Sequence, residues 1–299
     1  MAISATVVKQ LRDKTGAGMM DCKKALEETH GDIEAAIDVL RKAGIAKAEK
    51  RAGRTAAEGI VASAITPTGD CGALIEVNCE TDFVARNDDF RAFVKGVAEL
   101  AVEKQPADVE ALHALPLGGP LGAPLGGRGT VNDALVALIA KIGENMVVRR
   151  CVVYGVDGNG IVAAYVHHGD KVGVLVEVAC TKPGTVGTVG FREAVRDVAL
   201  QIAAHSPGYI RSSEIAEAVL ERERNIYRAQ VQNKPAQIVE KIVAGKLSKF
   251  YAEVCLVDQE FVKDRELTVA RYLDKRGKEI GDTIEIKQFT RFAVGESDE

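Results

Sequence analysis

Five histidines and six cysteines supply the side chains best suited to metal binding or nucleophilic chemistry, and their spacing fits neither. His30, His113, His167, His168 and His205 match no HExxH or other short ligand pattern. His167 and His168 end a strand-like run and point to opposite faces, so the pair reads as part of a turn rather than a chelate. Cys22, Cys71, Cys79, Cys151, Cys180 and Cys255 form no CxxC pair, which points away from structural zinc and from a disulfide scaffold. Cys79, Cys180 and Cys255 fall in apolar strand-like runs, where a thiol behaves as a small buried hydrophobe. There is no GxxxxGK[ST] loop and no GxGxxG after a strand, and the glycine-rich stretch 115–127 lacks the lysine and hydroxyl that hold a phosphate. No nucleophile, base and orienting acid stand together locally. The expectation is a protein with no catalytic residue, no metal and no cofactor.

The segment from Thr81 through Asp82, Phe83, Val84, Ala85, Arg86, Asn87 and Asp88 to Asp89 has a different character. It sets a phenylalanine beside an aspartate at a strand exit, just before a polar helix start. Two readings stand. Phe83 packs into its own core while Asp88 or Asp89 caps the helix, or Phe83 projects as a wedge toward another molecule. A repeat bears on the choice. Gly59-Ile60-Val61-Ala62 matches Gly160-Ile161-Val162-Ala163, residues 74–79 match residues 175–180, and Phe90-Arg91 matches Phe191-Arg192, all at an offset of 101. The loop differs: Lys182-Pro183-Gly184-Thr185 stands where the first copy has Thr81-Asp82-Phe83-Val84. The second copy completes its core with Gly184, so the core needs no aromatic at that place. A scaffold built twice with one unequal loop directs attention to that loop.

The elements around these loops follow from periodicity. Residues 1 to about 43 read as three short helices that bury stripes on one another. Val7, Val8 and Leu11 lie on the first, Met19, Cys22 and Leu26 on the second, and Ile33, Ala36, Ile37 and Leu40 on the third. Thr15-Gly16-Ala17-Gly18 breaks the first helix, Asp32 can cap the third, and Gly44 is a natural stop. Residues 45–57 are alanine-rich and basic and read as an exposed helical connector. Strands are expected at 60–65 and 71–78 around a Pro67–Asp70 turn, then a helix with Phe90, Phe93, Val94, Val97, Ala98 and Ala101 on one face. The second copy is expected to hold strands at 152–156, 161–166 and 172–178, then a helix with Phe191, Ala194, Val195, Val198, Ala199 and Ile202. Between the copies lie a proline- and glycine-rich surface excursion and a helix over 131–142. After Pro207 comes a long helical stretch that Ser213 can cap, interrupted at 232–235 and so a candidate helical hairpin. Strands are expected at 250–257 and 284–294, with a helix at 268–273 between them, and the acidic tail 295–299 is expected to be disordered.

Length suits two or three small domains. The net charge of -4 gives no whole-molecule attraction to nucleic acid, and 5% aromatics without tryptophan offers no base-stacking platform. No apolar run approaches the ~20 residues that span a bilayer, and no secretory signal opens the chain, so a cytoplasmic location is expected. A competing use of the basic stretch 41–54 is as an RNA- or ribosome-associated adaptor, which predicts salt-dependent RNA binding.

Three stretches give the chain a family resemblance: residues 11–26, beginning Leu11-Arg12-Asp13-Lys14-Thr15-Gly16, the segment Asn78-Cys79-Glu80-Thr81-Asp82-Phe83-Val84-Ala85, and Lys141-Ile142-Gly143-Glu144-Asn145. The sequence resembles the bacterial elongation factor Ts family from residue 1 to about 294. The resemblance implies an α+β fold with a three-helix, ubiquitin-associated-like (UBA-like) domain at 1–44 and the basic connector at 45–58. Two similar subdomains follow, antiparallel sheets with helices, at 59–150 and at 151–210 with 247–294. A helical-hairpin protrusion of the dimerisation type occupies 211–246. The implied activity is guanine-nucleotide exchange on elongation factor Tu, without covalent chemistry. Thr81, Asp82, Phe83 and Val84 form the exchange tip: the phenylalanine enters a pocket of the partner's GTPase domain and the aspartate disturbs its magnesium site. Arg12, Thr15, Gly16, Ala17, Met19, Met20 and Asp21 dock on the same domain. Homodimerisation through the protrusion is implied, with no membrane and no direct nucleic-acid partner. The excursion at 115–129 looks like an insertion, and a further C-terminal helix carried by some members is expected to be absent.

Overall fold

A computed structural model of the chain describes residues 3–118, 129–231 and 235–296. The head is three helices, α1 (Ala5–Thr15), α2 (Met19–Glu28) and α3 (Ile33–Glu49). Ser4 caps α1 by accepting from the Val7 amide, and Gly16 ends it in the left-handed conformation at φ 66°. Asp32 caps α3, as expected. Val8, Leu11, Cys22, Ala25, Leu26 and Ala36 are buried together, with Ile33, Ile37 and Leu40 packed against them. Met19 lies outside this core, since 46% of it is exposed.

Two expectations for this region are corrected. Gly44 does not stop α3, which runs on to Glu49. Gly44 is buried where α3 meets a later helix, and a Cβ there would stand 3.6 Å from Val136 and 3.7 Å from Ala140. Packing overrides the roughly 1 kcal/mol that a glycine costs in a helix. The connector is helical only to Glu49 and then turns, with Ala52 donating to the Ala48 carbonyl.

The core is two three-stranded antiparallel sheets. The first is β1 (Glu58–Ile65), β2 (Cys71–Cys79) and β3 (Met146–Gly155), in that order. The second is β4 (Gly160–Val166), β5 (Val172–Ala179) and β8 (Glu285–Ala293). Expected strand 152–156 is therefore not the opening of the second copy: it is the end of β3, with Leu74 opposite Val152. A proposed boundary at 150/151 would cut this strand. Its apolar alternation fits either sheet, and only the return through the intervening helices puts it beside β2.

Duplication extends to details. Each middle strand carries a bulge at the same place, between Glu76 and Val77 and between Glu177 and Val178. On one face of the first sheet lies α5 (Asp88–Lys104), which buries Phe90, Phe93, Val94 and Val97 against Ile60, Ile75 and Val77. Against the second lies α8 (Val189–His205), burying Phe191, Val195, Val198 and Ile202. The opposite faces of the two sheets meet through Val61, Leu74, Tyr154, Val162, Leu175 and Phe292. Gly72 permits this approach, because a Cβ there would come within 2.7 Å of Val162.

Between β2 and β3 lie the single turn α4 (Asp82–Ala85), α5, α6 (Val109–Ala114) and α7 (Val131–Ile142). The excursion is tied at its base: Leu117 donates to the Gly129 carbonyl, Val131 donates to that of Leu115, and Leu117 is buried. Its central residues 119–128 lie outside the described residues, as do 232–234 of the expected hairpin interruption and 297–299 of the tail. Glu296 is held by Arg291.

The hairpin is α9 (Glu217–Gln230) and α10 (Ala236–Val254), joined by an Arg228–Glu240 pair at 2.9 Å. Ser213 does not cap it. It sits in a short 3-10 turn, and α9 starts after Ala216 without a side-chain cap. The expected strand at 250–257 is also corrected. Phe250, Tyr251 and Val254 lie in α10 and pack around Ile215, Leu220 and Cys255, because their spacing suits one side of a helix already under way. The short hairpin of β6 (Glu260–Phe261) and β7 (Asp264–Thr268) leads into α11 (Val269–Ile280), then β8. Helices α7 and α11 correspond: Thr130 and Thr268 cap their starts, and Gly143 and Gly281 end them in the left-handed conformation. No described helix is long and apolar enough to cross a membrane.

Candidate functional site

Strand β2 delivers the chain, fully buried, to the corner at Glu80 and Thr81. One helical turn, α4, follows. Val84 and Ala85 are buried on its inner side, whereas Phe83 is 80% exposed. Consecutive residues on a turn face different directions, so burying Val84 against the core drives Phe83 outward. Asp82 is half exposed beside it and pairs with Arg86 at 3.0 Å. A phenylalanine left in water forgoes roughly 1.5–3 kcal/mol that contact with an apolar surface would return. Asn87, rather than Asp88 or Asp89, caps α5, accepting from the Asp89 and Phe90 amides at 2.9 and 3.2 Å. The two aspartates occupy the first turn, where negative charge favours the helix N-terminus.

The corner is held by Glu144, Glu80 and Asn145, side chains that sequence reasoning gave no individual role. The Glu144 carboxylate accepts from the Thr81 amide at 3.1 Å and from the Thr81 hydroxyl at 2.8 Å. The Thr81 hydroxyl oxygen in turn accepts from the Val84 amide at 3.4 Å, capping α4. Glu80 takes the Asn145 amide at 2.5 Å, and the buried Asn145 side chain donates to the Arg54 carbonyl at 2.8 Å. Beneath the corner, the Cys79 thiol donates to the Thr81 carbonyl at 3.2 Å. Burial pushes that thiol up to about 12, so it stays protonated and structural. The segment 141–145 carried one signal in the sequence, an acid and an amide directly after a helix-ending glycine.

The N-terminal residues singled out above gather at the turn between α1 and α2. Met19 and Met20 are exposed at 46% and 63%. Arg12 is exposed and its carbonyl accepts from the Gly16 amide at 2.8 Å. Thr15 donates to the Leu11 carbonyl at 2.8 Å and accepts from the Ala17 amide at 3.3 Å. Asp21 pairs with Lys47 at 2.8 Å. This turn reaches the Lys141 side chain, 3.7 Å from where a Gly16 Cβ would stand, and Lys141 pairs with Asp89 at 2.7 Å. Lys141 thus joins the N-terminal turn to the helix that follows the tip. A groove of about 710 Å³ between the head and α7 is lined by Thr15, Ala17, Asp21, Lys47 and Lys141 among others.

The histidines and cysteines are not brought together: among the described residues no cluster of three His, Cys, Asp or Glu could hold a metal ion. The matching corner of the second sheet is built differently. A 3-10 turn, Pro183–Gly187, replaces α4. Thr185 is buried where Val84 is, and Gly184 is exposed where Phe83 is. Asp282, after Gly281, accepts from the Thr181 and Lys182 amides at 3.2 and 2.9 Å, from the Thr185 hydroxyl at 2.5 Å, and from the Thr181 hydroxyl.

Comparison with known proteins gives a consistent result. Residues 80–296 match the family described as Elongation factor TS. Elongation factor Ts of Trichlorobacter lovleyi is 47% identical over 298 residues, 99% of this chain and 94% of that protein. Elongation factor Ts of Clostridium botulinum strain Alaska E43 is 46% identical, covering 98% of this chain and 93% of the relative. That of Nautilia profundicola is 45% identical over the same shares.

Proposed function

The chain belongs to the elongation factor Ts family, and on that footing we propose that it loosens GDP from elongation factor Tu with the Asp82–Phe83 tip. The broader role is guanine-nucleotide exchange during translation elongation, in the cytoplasm where translation runs. The finer reading rests on one observation above all: an 80% exposed phenylalanine on a turn whose other side chains are buried.

An exchange factor needs no acid or base. It must bind the nucleotide-free GTPase more tightly than the GDP-bound form, and by linkage it weakens GDP by the same factor. A ten-thousandfold weakening requires about 5.5 kcal/mol of differential binding. Burying Phe83 in the partner supplies roughly 1.5–3 kcal/mol of contact energy, only part of which is differential. Asp82, already half exposed, adds a charge that disturbs the partner's magnesium and phosphate contacts. The wider surface supplies the remainder, with Met19 and Met20 docking beside Arg12, Thr15, Gly16, Ala17 and Asp21. A second copy of the chain is the occupant we assign to the α9–α10 hairpin, where Val219, Ile226 and Ile238 are exposed.

An RNA adaptor reading is weakened by the pairing within the molecule of three of the six basic residues in 41–54. Arg41 pairs with Asp133 at 2.7 Å, Lys47 with Asp21, and Arg54 with Glu80 at 3.4 Å. Stopped-flow release of a fluorescent GDP from elongation factor Tu tests the proposal. Release should accelerate with added chain, and the acceleration should shrink as magnesium is raised. No acceleration at saturating chain, with salt-dependent RNA binding instead, would favour the adaptor.

A further inference from the structure

We propose that Glu144 is the positioning residue of the tip, holding the turn that carries Phe83 in one orientation; this rests on the exchange role assigned to that tip. Three observations carry it. The first is geometry. The Thr81 hydroxyl has one proton, and giving it to Glu144 at 2.8 Å leaves an oxygen lone pair for the Val84 amide at 3.4 Å. Glu144 therefore orients the cap of α4 as well as pinning the Thr81 backbone amide at 3.1 Å.

The second is reciprocity. Glu80, at the end of the strand, takes the amide beside Glu144, while Glu144 takes the amide beside Glu80. Two acids exchange partners across the same corner, so the strand exit and the helix exit move as one piece. A four-residue helix has too few internal hydrogen bonds to persist alone. Its direction is fixed by this clasp on one side and by buried Val84 and Ala85 on the other.

The third is duplication without the aromatic. Asp282 clasps the second corner through the Thr181 and Lys182 amides, yet Gly184 leaves nothing there to aim. The molecule thus contains its own control: two acid clasps, one of which carries a projecting ring. Exposed Phe83 has no packing of its own to set its direction, so an untethered turn would present the ring in many orientations and lose the advantage of preorganisation.

The experiment measures the maximal rate of GDP release from elongation factor Tu and the chain concentration giving half of it. Glu144→Ala should lower the maximal rate roughly ten- to a hundredfold, the scale for a misplaced working group, with little change in half-saturating concentration. The near-isosteric Glu144→Gln should fall between wild type and Glu144→Ala. Thr81→Ser, which keeps the hydroxyl, should retain more of the rate than Thr81→Val, which removes it. Asp282→Asn should leave exchange unchanged. In a Phe83→Ala background, Glu144→Ala should add less than about twofold, because it acts through the ring. The positioning role is overturned if both Glu144 variants keep the wild-type rate, or if Glu144→Ala costs the same factor with and without Phe83. If Phe83→Ala alone leaves release intact, the assignment of exchange to the tip fails first; if Phe83→Ala abolishes stimulation while both Glu144 variants retain it, only the positioning role fails.

Discussion

The first and second corners of the core use one plan for different ends. Both begin at a bulged middle strand with a cysteine at or just after its end, whose thiol donates a hydrogen bond to the carbonyl two residues on, Cys79 to Thr81 and Cys180 to Lys182. Both bury the fourth loop residue, Val84 or Thr185, and both are clasped by an acid that follows a left-handed glycine. The third loop residue differs most plainly: Phe83 in one, Gly184 in the other, each facing solvent. Stability is thus served by the shared parts, and the projecting ring is an addition that the fold does not need. A single exposed apolar residue is common on protein surfaces; what singles out Phe83 is that the matched corner holds Gly184 in its place.

This contrast orders the expected effects. Asp82→Ala should reduce stimulated GDP release about tenfold, the effect of losing one charge-assisted contact, and should lessen the sensitivity of release to magnesium. Wild-type magnesium sensitivity in that variant would separate Asp82 from the metal effect. Thr185→Val removes a buried hydroxyl bonded to Asp282 and should cost about 1 kcal/mol by denaturant melts while leaving exchange unchanged. A loss of exchange there would mean that the second corner also touches the partner.

A smaller effect concerns pH. Hydrogen bonds from the Thr181 and Thr185 hydroxyls, then the Lys182 and Thr283 amides, hold the Asp282 carboxyl well below its ordinary value of 3.8. Its contribution is fully present above that ordinary value and fades as pH falls below it toward the lower folded value. The gap in melting temperature between wild type and Asp282→Asn should therefore be constant near neutral pH and narrow below about pH 4. A gap that does not change on acidification would contradict the clasp. Least of all should Gly184→Phe matter. It adds a ring at an exposed position with open space around it, and should leave both stability and exchange near wild type.

Much of this was legible in the chain. The offset of 101 marked the duplicated strands and the unequal loop, and the apolar faces of α5 and α8 followed from helical spacing. Asp32 and the Gly16 break were readable because capping is local. The strand at 284–294 was expected, but its correspondence with β3 was not legible, because β3 and β8 correspond at another spacing, 138 positions from Gly143 to Gly281, with the α9–α10 hairpin lying in between. At that spacing Thr130-Val131 matches Thr268-Val269, Leu135 matches Leu273 and Ile142-Gly143 matches Ile280-Gly281, but no identity falls within the strands themselves. Glu144 stood in a stretch that carried the resemblance, but its role and that of Asp282 were not legible, because their partners lie 63 and about 100 residues away. Gly44 and the run at Phe250 misled because tertiary packing, rather than propensity, decides where those helices end.

The decisive comparison is Phe83→Ala against wild type, with melting temperature and maximal GDP release from elongation factor Tu recorded on the same preparations. If the ring works on the partner, release should fall roughly a hundredfold, about 2.7 kcal/mol and within the range for burying one phenylalanine, while the melt stays within about 2 °C, as for most exposed sites. Release that stays at the wild-type rate, or that falls only in step with a destabilised fold, would contradict it.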